Sequence, residues 1–300
     1  RAFGALAGVV FGDAVGMPAK GMPTEQVQEL YHWSSSLKDA PTSHPTMPAA
    51  PAGTLTAVTS EVLASSSALL SEGTSPLGGE AEDRRGDELA GSRYVLRAIP
   101  VGIATVTTDP EAFAEAVWQA CGNENLTRQE FQAAALVAAA ISLGIDMKNY
   151  RASGFISFLQ EAIEYVADLP PRGSSNSGPD VLQAARNALG YVRNFRDDIY
   201  ERRRGSIGTS TDPTQSVPAA FALVYRSESR FAAVNAAILG GETSLIAAIS
   251  SAVQGAICGI TMFSPNDLAT IERVSHPGVA PLSERLVERR LYVSDDATSN

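Results

Sequence analysis

Cysteine, histidine, aromatic and basic residues are all scarce in this chain, and each scarcity excludes something. The two cysteines, Cys121 and Cys258, stand far apart in apolar helical surroundings with no Cys-x-x-Cys spacing. A disulfide scaffold or cysteine zinc site is excluded, and both read as reduced core thiols of a cytoplasmic protein, with a single bridge between them left open. The three histidines, His32, His44 and His276, match no Ser or Cys nucleophile spacing, and neither Gly-x-Ser-x-Gly nor His-Glu-x-x-His occurs. They support no catalytic triad and no zinc centre. Lys and Arg total 23 against 33 acids, a net charge of −10, which disfavours nucleic acid as a partner because phosphate contacts need clustered cations. The one dense basic run, Arg202-Arg203-Arg204, follows Asp197, Asp198 and Glu201 and reads as a solvated helix end.

Long apolar runs are few. The most apolar window, Leu245 to Phe263, has bilayer-spanning length but carries Ser250, Ser251, Gln254 and Thr261, so a buried core helix is expected and no membrane partner. No charged-then-apolar leader opens the sequence, and a first residue of Arg implies that upstream residues were trimmed.

Alternating strand patterns are missing as well; apolar residues recur instead near a 3.6-residue period, which predicts an all-α fold. Helices are expected over 2–12, 24–32, 54–72, 92–105, 110–122, 128–144, 151–168, 180–198, 213–226, 229–240, 243–261, 265–274 and 280–292. Start signals stand at Asp109-Pro110, Thr127-x-x-Glu130, Asp212-Pro213-x-Gln215 and Ser264-Pro265, each with an N-cap oxygen. With no composition shift and no internal repeat, the 300 residues read as one domain, with mobile loops near 34–52, 73–88 and 170–179. Gly4, Gly8 and Gly12 share one helical face, and Gly255 and Gly259 repeat the spacing. Glycine costs about 1 kcal/mol inside a helix, so such a stripe needs close helix contact to offset it.

Four segments together resemble the ADP-ribosylglycohydrolase family, which includes the dinitrogenase-reductase-activating glycohydrolases. They are Gly4-Ala5-Leu6-Ala7-Gly8 running to Gly12-Asp13-Ala14-Val15-Gly16-Met17-Pro18; Gly91 through Arg97-Ala98-Ile99-Pro100-Val101-Gly102; Ser216-Val217-Pro218-Ala219-Ala220; and Val234-Asn235 through Gly240-Gly241-Glu242-Thr243 to Gly255-Ala256-x-x-Gly259. The resemblance implies a multi-helix domain and a binuclear Mg²⁺ centre that hydrolyses a glycosidic bond to ADP-ribose, the ions holding ribose hydroxyls and positioning a water. It also implies where the oxygen ligands should stand: a Thr-Asp-Asp-Thr motif, a Gly-Gly-Asp-Thr-Asp-Thr motif and a glutamate shortly after the first proline.

This sequence departs at nearly all of them. The first motif aligns with Thr56-Ala57-Val58-Thr59, the second with Gly240-Gly241-Glu242-Thr243-Ser244-Leu245, and Lys20 follows the proline, unless a shifted frame uses Glu25. Carboxylates and ions nearly cancel in the family site; here Lys20 and Glu242 cancel each other without any ion. No metal ligand set and no cofactor are therefore expected.

The candidate ligand-binding residues are Lys20, Thr56, Thr59, Arg93, Glu242, Thr243 and Ser244. Each has a structural alternative: Thr56, Thr59, Thr243 and Ser244 as helix caps, Glu242 as an acid favoured by a helix dipole, and Lys20 as a solvated loop residue. Arg97, among apolar residues, suggests a buried ion pair, and Asp13 a cap on local backbone. Three readings follow. The chain is a family member without its Mg²⁺ site that binds an ADP-ribose-like or phosphorylated small molecule, a metal-independent N-glycoside hydrolase or lyase with Glu242 as its catalytic acid or base, or a structural oligomerising module.

Overall fold

The computed structural model describes residues 1–30, 37–71, 89, 91–122, 126–147, 155–175, 177–194, 208–226 and 231–298. The expected loop 73–88 and the arginine run 202–204 lie outside the described residues. Among the described residues the chain forms α1 (Ala2–Gly16), α2 (Thr24–Leu30), α3 (Ala57–Leu70), α4 (Ser92–Ala104), α5 (Pro110–Ala120), α6 (Arg128–Asp146) and α7 (Phe155–Ala167), then α8 (Val181–Asn194), α9 (Pro213–Arg226), α10 (Phe231–Leu239), α11 (Thr243–Cys258), α12 (Pro265–Ser275) and α13 (Val279–Thr298). There is no strand among them beyond one isolated bridge, Thr127 to Ser174, so the all-α expectation holds. That bridge and the bond from Arg128 N to Ser174 O tie the 170–175 segment to the head of α6.

The caps explain where helices start. Asp109 accepts from Ala112 N, and Thr127 and Glu130 close a reciprocal capping box. Asp212 takes Thr214 N at 2.8 Å and Ser264 accepts from Asp267 N. Each such cap satisfies an amide that the helix itself leaves open, for about 1 kcal/mol. The largest extensions past an expected end are at α1, which continues from residue 12 to Gly16, and α13, which reaches Thr298.

α1 and α11 form the centre, antiparallel and in contact along their whole length. Every residue of α1 except Phe3 is buried, as is every residue of α11 from Thr243 to Ile257. A helix apolar all round has no solvent face to offer, which is why both lie inside. Ala2–Ala19 is long and apolar enough to cross a membrane, yet 94% of it is buried within the protein.

The glycine stripe sets the spacing of this pair. A Cβ built on Gly8 would lie 2.1 Å from Ser251 O, and one on Gly12 2.2 Å from Ala247 O. Gly4 faces Gly255 and Gly16 faces Ser244 in the same manner. The backbones approach as closely as small-residue stripes permit in any medium.

Helix polarity follows from the contacts. Gly16 lies against Ser244, so α11 begins where α1 ends. Gly144 packs on Ala256 and Gly102 on Ala138, so α6 runs parallel to α11 and α4 parallel to α6. Gly91 touches Pro213 and Glu130, bringing the heads of α4, α9 and α6 together. At the far end Arg290 of α13 donates to Gly102 O, Ile103 O and Thr105 O of α4 and to Ser142 O of α6, and pairs with Asp146 at 2.5 Å. One guanidinium thus covers carbonyls that the last turns of two helices leave open.

Candidate functional site

The heads of α3 and α11 meet the tail of α1, and the residues singled out by sequence lie around that junction. Asp13 is fully buried in the last turn of α1 and accepts four hydrogen bonds from the head of α3. Its Oδ2 takes Thr56 N at 2.9 Å, Thr59 N at 3.2 Å and Thr59 Oγ1 at 2.7 Å, and its Oδ1 takes Thr56 Oγ1 at 2.8 Å. Burial pushes the carboxyl above its ordinary range, while the four hydrogen bonds pull it back in part. Asp13 caps backbone 43 residues away, not the local turn expected from sequence.

These bonds decide what the threonines can offer. Thr56 and Thr59 each have one hydroxyl proton, and both protons point at Asp13. Thr56 Oγ1 also accepts Val58 N at 3.2 Å, as the N-cap of α3. On α11, Thr243 Oγ1 donates to Gly16 O at 2.6 Å and Ser244 Oγ to Asp13 O at 3.3 Å. All four hydroxyls are therefore engaged as donors within the protein and could meet a ligand only as acceptors.

Glu242 stands at the N-cap position of α11, beside the first turn rather than in it, and its side chain makes no capping bond. Its backbone is held from three sides. Gly21 N donates to Gly241 O and Gly241 N to Met22 O, both at 2.9 Å, while Glu242 N donates to Thr209 O at 2.8 Å. Gly240 and Gly241 have φ near +74° and +73°, and a Cβ on Gly241 would strike Thr209, so glycine is required at that crossing. Thr24 Oγ1 adds a bond to Leu239 O at 2.5 Å. The turn that carries Lys20 and the turn that carries Glu242 are thus joined backbone to backbone. Lys20 is 4% exposed, so it is not the solvated loop residue of the alternative reading.

Arg93 occupies a different quarter of the same end. It lies in the first turn of α4, half-buried, with its Nε enclosed and lacking a hydrogen-bond partner. Arg97, one turn on, is not at the site: its Nε pairs with Glu61 Oε1 at 2.7 Å inside the α3–α4 contact, the buried ion pair that its apolar setting suggests. Cys121 lies nearby, its thiol pushed up to about 12 by burial, and is inert.

A structural role that the sequence did not signal belongs to His44. It is buried, and its Nε2 lies 2.9 Å from Met17 O while its Nδ1 accepts Met47 N at 2.9 Å and Thr46 N at 3.2 Å. This pattern requires the neutral ring with its proton on Nε2. The only sequence hint is a histidine amid Pro and Ser residues.

The oxygens present do not fit a magnesium pair. Ala57 and Val58 stand at the two acid positions of the first motif, and Val58 is wholly buried. Among the described residues no three His, Cys, Asp or Glu side chains gather as a metal site. A divalent ion needs several hard oxygens, and the two aligned segments offer Glu242 as their one carboxylate.

With this geometry in hand, the chain can be compared with known proteins. It is similar to the uncharacterized protein YegU of Escherichia coli (strain K12), 26% identical over 184 residues that make up 60% of this chain and 54% of that protein. The match thus spans about half the length of that relative. Among solved structures, a chain of an ADP-ribosylglycohydrolase-related protein complex superposes with a TM-score of 0.68 over 97% of this chain and 98% of that one, at 18% identity, which speaks to fold alone. The profile of one family, ADP-ribosylglycohydrolase, matches residues 73–295. On that match, most of its length, the chain belongs to the ADP-ribosylglycohydrolase family.

Proposed function

We propose that this protein is a non-hydrolytic member of its family, a cytoplasmic binding or regulatory protein whose pocket takes a nucleotide-like or otherwise phosphorylated small molecule. The observation that carries the reading is the head of α3, where Ala57 and Val58 stand in place of two carboxylates and the flanking threonine hydroxyls serve Asp13. The helices α3, α4, α6, α9 and α11 point their N-termini toward this end of the molecule. Each N-terminus favours an anion by about 0.3–1 kcal/mol near the surface. With no carboxylate at positions 57 and 58, Lys20 and Arg93 reinforce that preference, and phosphate is the natural anion for a scaffold of this family. Both cysteines are free thiols, in keeping with a reducing compartment. The partner is a small molecule; neither nucleic acid nor a membrane suits the charge balance and the buried α1.

Calorimetry with ADP-ribose, with and without Mg²⁺, tests this. Binding of comparable strength in both conditions is expected, weakened about tenfold by Lys20→Ala as one charge-assisted contact is lost. Hydrolysis of an ADP-ribosyl substrate that depends on micromolar Mg²⁺ would overturn the proposal. A second reading draws on Glu242, an N-cap residue that does not cap: as the acid left in the second aligned segment, with Asp13 committed to the head of α3, it would move a proton in metal-free cleavage of an N-glycoside. Glu242→Gln would then abolish that activity, and an unchanged rate removes Glu242 from consideration.

A further inference from the structure

We infer that His44 is the peg of a strap, residues 39–52, that closes over the Met17–Gly21 turn and so governs access to the site next to it. The inference rests on the proposed function only for what the strap covers. The strap is pinched at its neck, where Ala40 N donates to Ala50 O at 2.8 Å and Ala52 N to Asp39 Oδ1 at 2.7 Å. Beyond the neck it crosses to Ser275, whose Oγ donates to Gly53 O and accepts Leu55 N. Between these points it is mostly exposed; Ala40 and His44 are its two buried residues.

The ring is the junction of two separate jobs. Through Nδ1 it gathers the backbone of Thr46 and Met47, which shapes the tip of the strap, and through Nε2 it fastens that tip to Met17 O on the turn leading to Lys20. The next residue, Pro45, lies against Gly21, where a Cβ would come within 3.3 Å of its Cγ. Gly21 in turn bonds to Gly241, the neighbour of Glu242. His44 Nε2 is the hydrogen bond from the strap's tip to that turn, with Pro45 resting beside it on Gly21, so release of one imidazole frees the tip while the neck at Asp39 and the bonds of Ser275 stay in place. Local openings of this kind draw on the low-stability segments of a fold.

The test compares wild type with His44→Ala, His44→Gln and Asp39→Ala, by amide hydrogen exchange and by acylation of Lys20 with an N-hydroxysuccinimide ester read by mass spectrometry. His44→Ala is expected to speed exchange at Thr46 and Met47 about tenfold and to raise Lys20 acylation severalfold, with α1 and α11 amides unchanged. His44→Gln, which can both accept from an amide and donate to a carbonyl, restores part of the protection. Asp39→Ala cuts the neck without touching the ring and raises Lys20 acylation too, which keeps the test open should His44→Ala fail to fold. With ADP-ribose as probe, association and dissociation both quicken in His44→Ala. Unchanged exchange at Thr46 and Met47 overturns the peg, and faster exchange without Lys20 acylation overturns the cover. If wild type binds no ADP-ribose, the functional proposal falls while the exchange and acylation results still decide the strap.

Discussion

The seam between α1 and α11 and the polar end where α1 meets α3 are continuous, since Gly12 belongs to the first and Asp13 to the second, yet they obey opposite rules. In the seam nothing larger than hydrogen fits at Gly4, Gly8, Gly12 or Gly16, because the opposing atoms are backbone and cannot rotate away. At the polar end the positions at the head of α3 where the family resemblance places acids carry Ala57 and Val58, and the helix begins there all the same, held by Asp13. Architecture and chemistry are thus written in adjacent but separate residues. In this chain the residues that space the helices and the residues at the head of α3 are different ones.

Substitutions sharpen that contrast. The largest effect is expected in the seam: Gly8→Val forces α1 off α11 and should prevent soluble folding or lower stability by more than about 4 kcal/mol, read by thermal melting. Next comes the junction residue. Asp13→Ala leaves the amides of Thr56 and Thr59 and their hydroxyls without an acceptor and should cost about 3 kcal/mol in denaturant unfolding. Its pH dependence has a definite sign: a carboxyl raised by burial binds its proton more tightly when folded. Its contribution is therefore most favourable below the ordinary carboxylate range and is lost as pH rises toward the higher folded value. Asp13→Asn should remove that slope from the stability curve, and an unaltered slope would assign it to another group.

Arg97→Leu takes the buried guanidinium away from Glu61 and should cost about 3 kcal/mol, whereas replacing both partners with apolar residues should cost clearly less, a double-mutant cycle read by urea unfolding. Arg186→Ala, breaking a surface pair with Glu164 at 3.1 Å, should change stability by about 0.5 kcal/mol or less. If the surface change matched the buried one, the separation of scaffold from solvent-exposed chemistry drawn above would fail.

Much of this was legible beforehand. The caps at Asp109, Thr127, Asp212 and Ser264 stand where sequence put them, because an N-cap is a local device that needs only a few residues. The glycine spacing predicted close helix contact, and the partner proved to be α11. The tail of α1 was missed since its Gly-rich end reads as a turn, whereas in the fold Gly16 packs against the backbone of Thr243 and Ser244. The reach of Asp13 was missed for a related reason: an aspartate after a glycine reads as a local cap, and nothing nearby in sequence says that Thr56 and Thr59 will lie against it.

Period, caps and small-residue stripes thus fixed the helices, their starts and the existence of one tight pair, since each is a property of neighbours along the chain. Whether Thr56, Thr59, Thr243 and Ser244 face a ligand or serve the protein depended on which acceptor lay within hydrogen-bond reach of each hydroxyl, and that was set by the packing of α3 and α11 on the tail of α1. Hydrogen bonds between residues far apart in sequence exist only after helices have packed, so the tertiary structure alone assigned them.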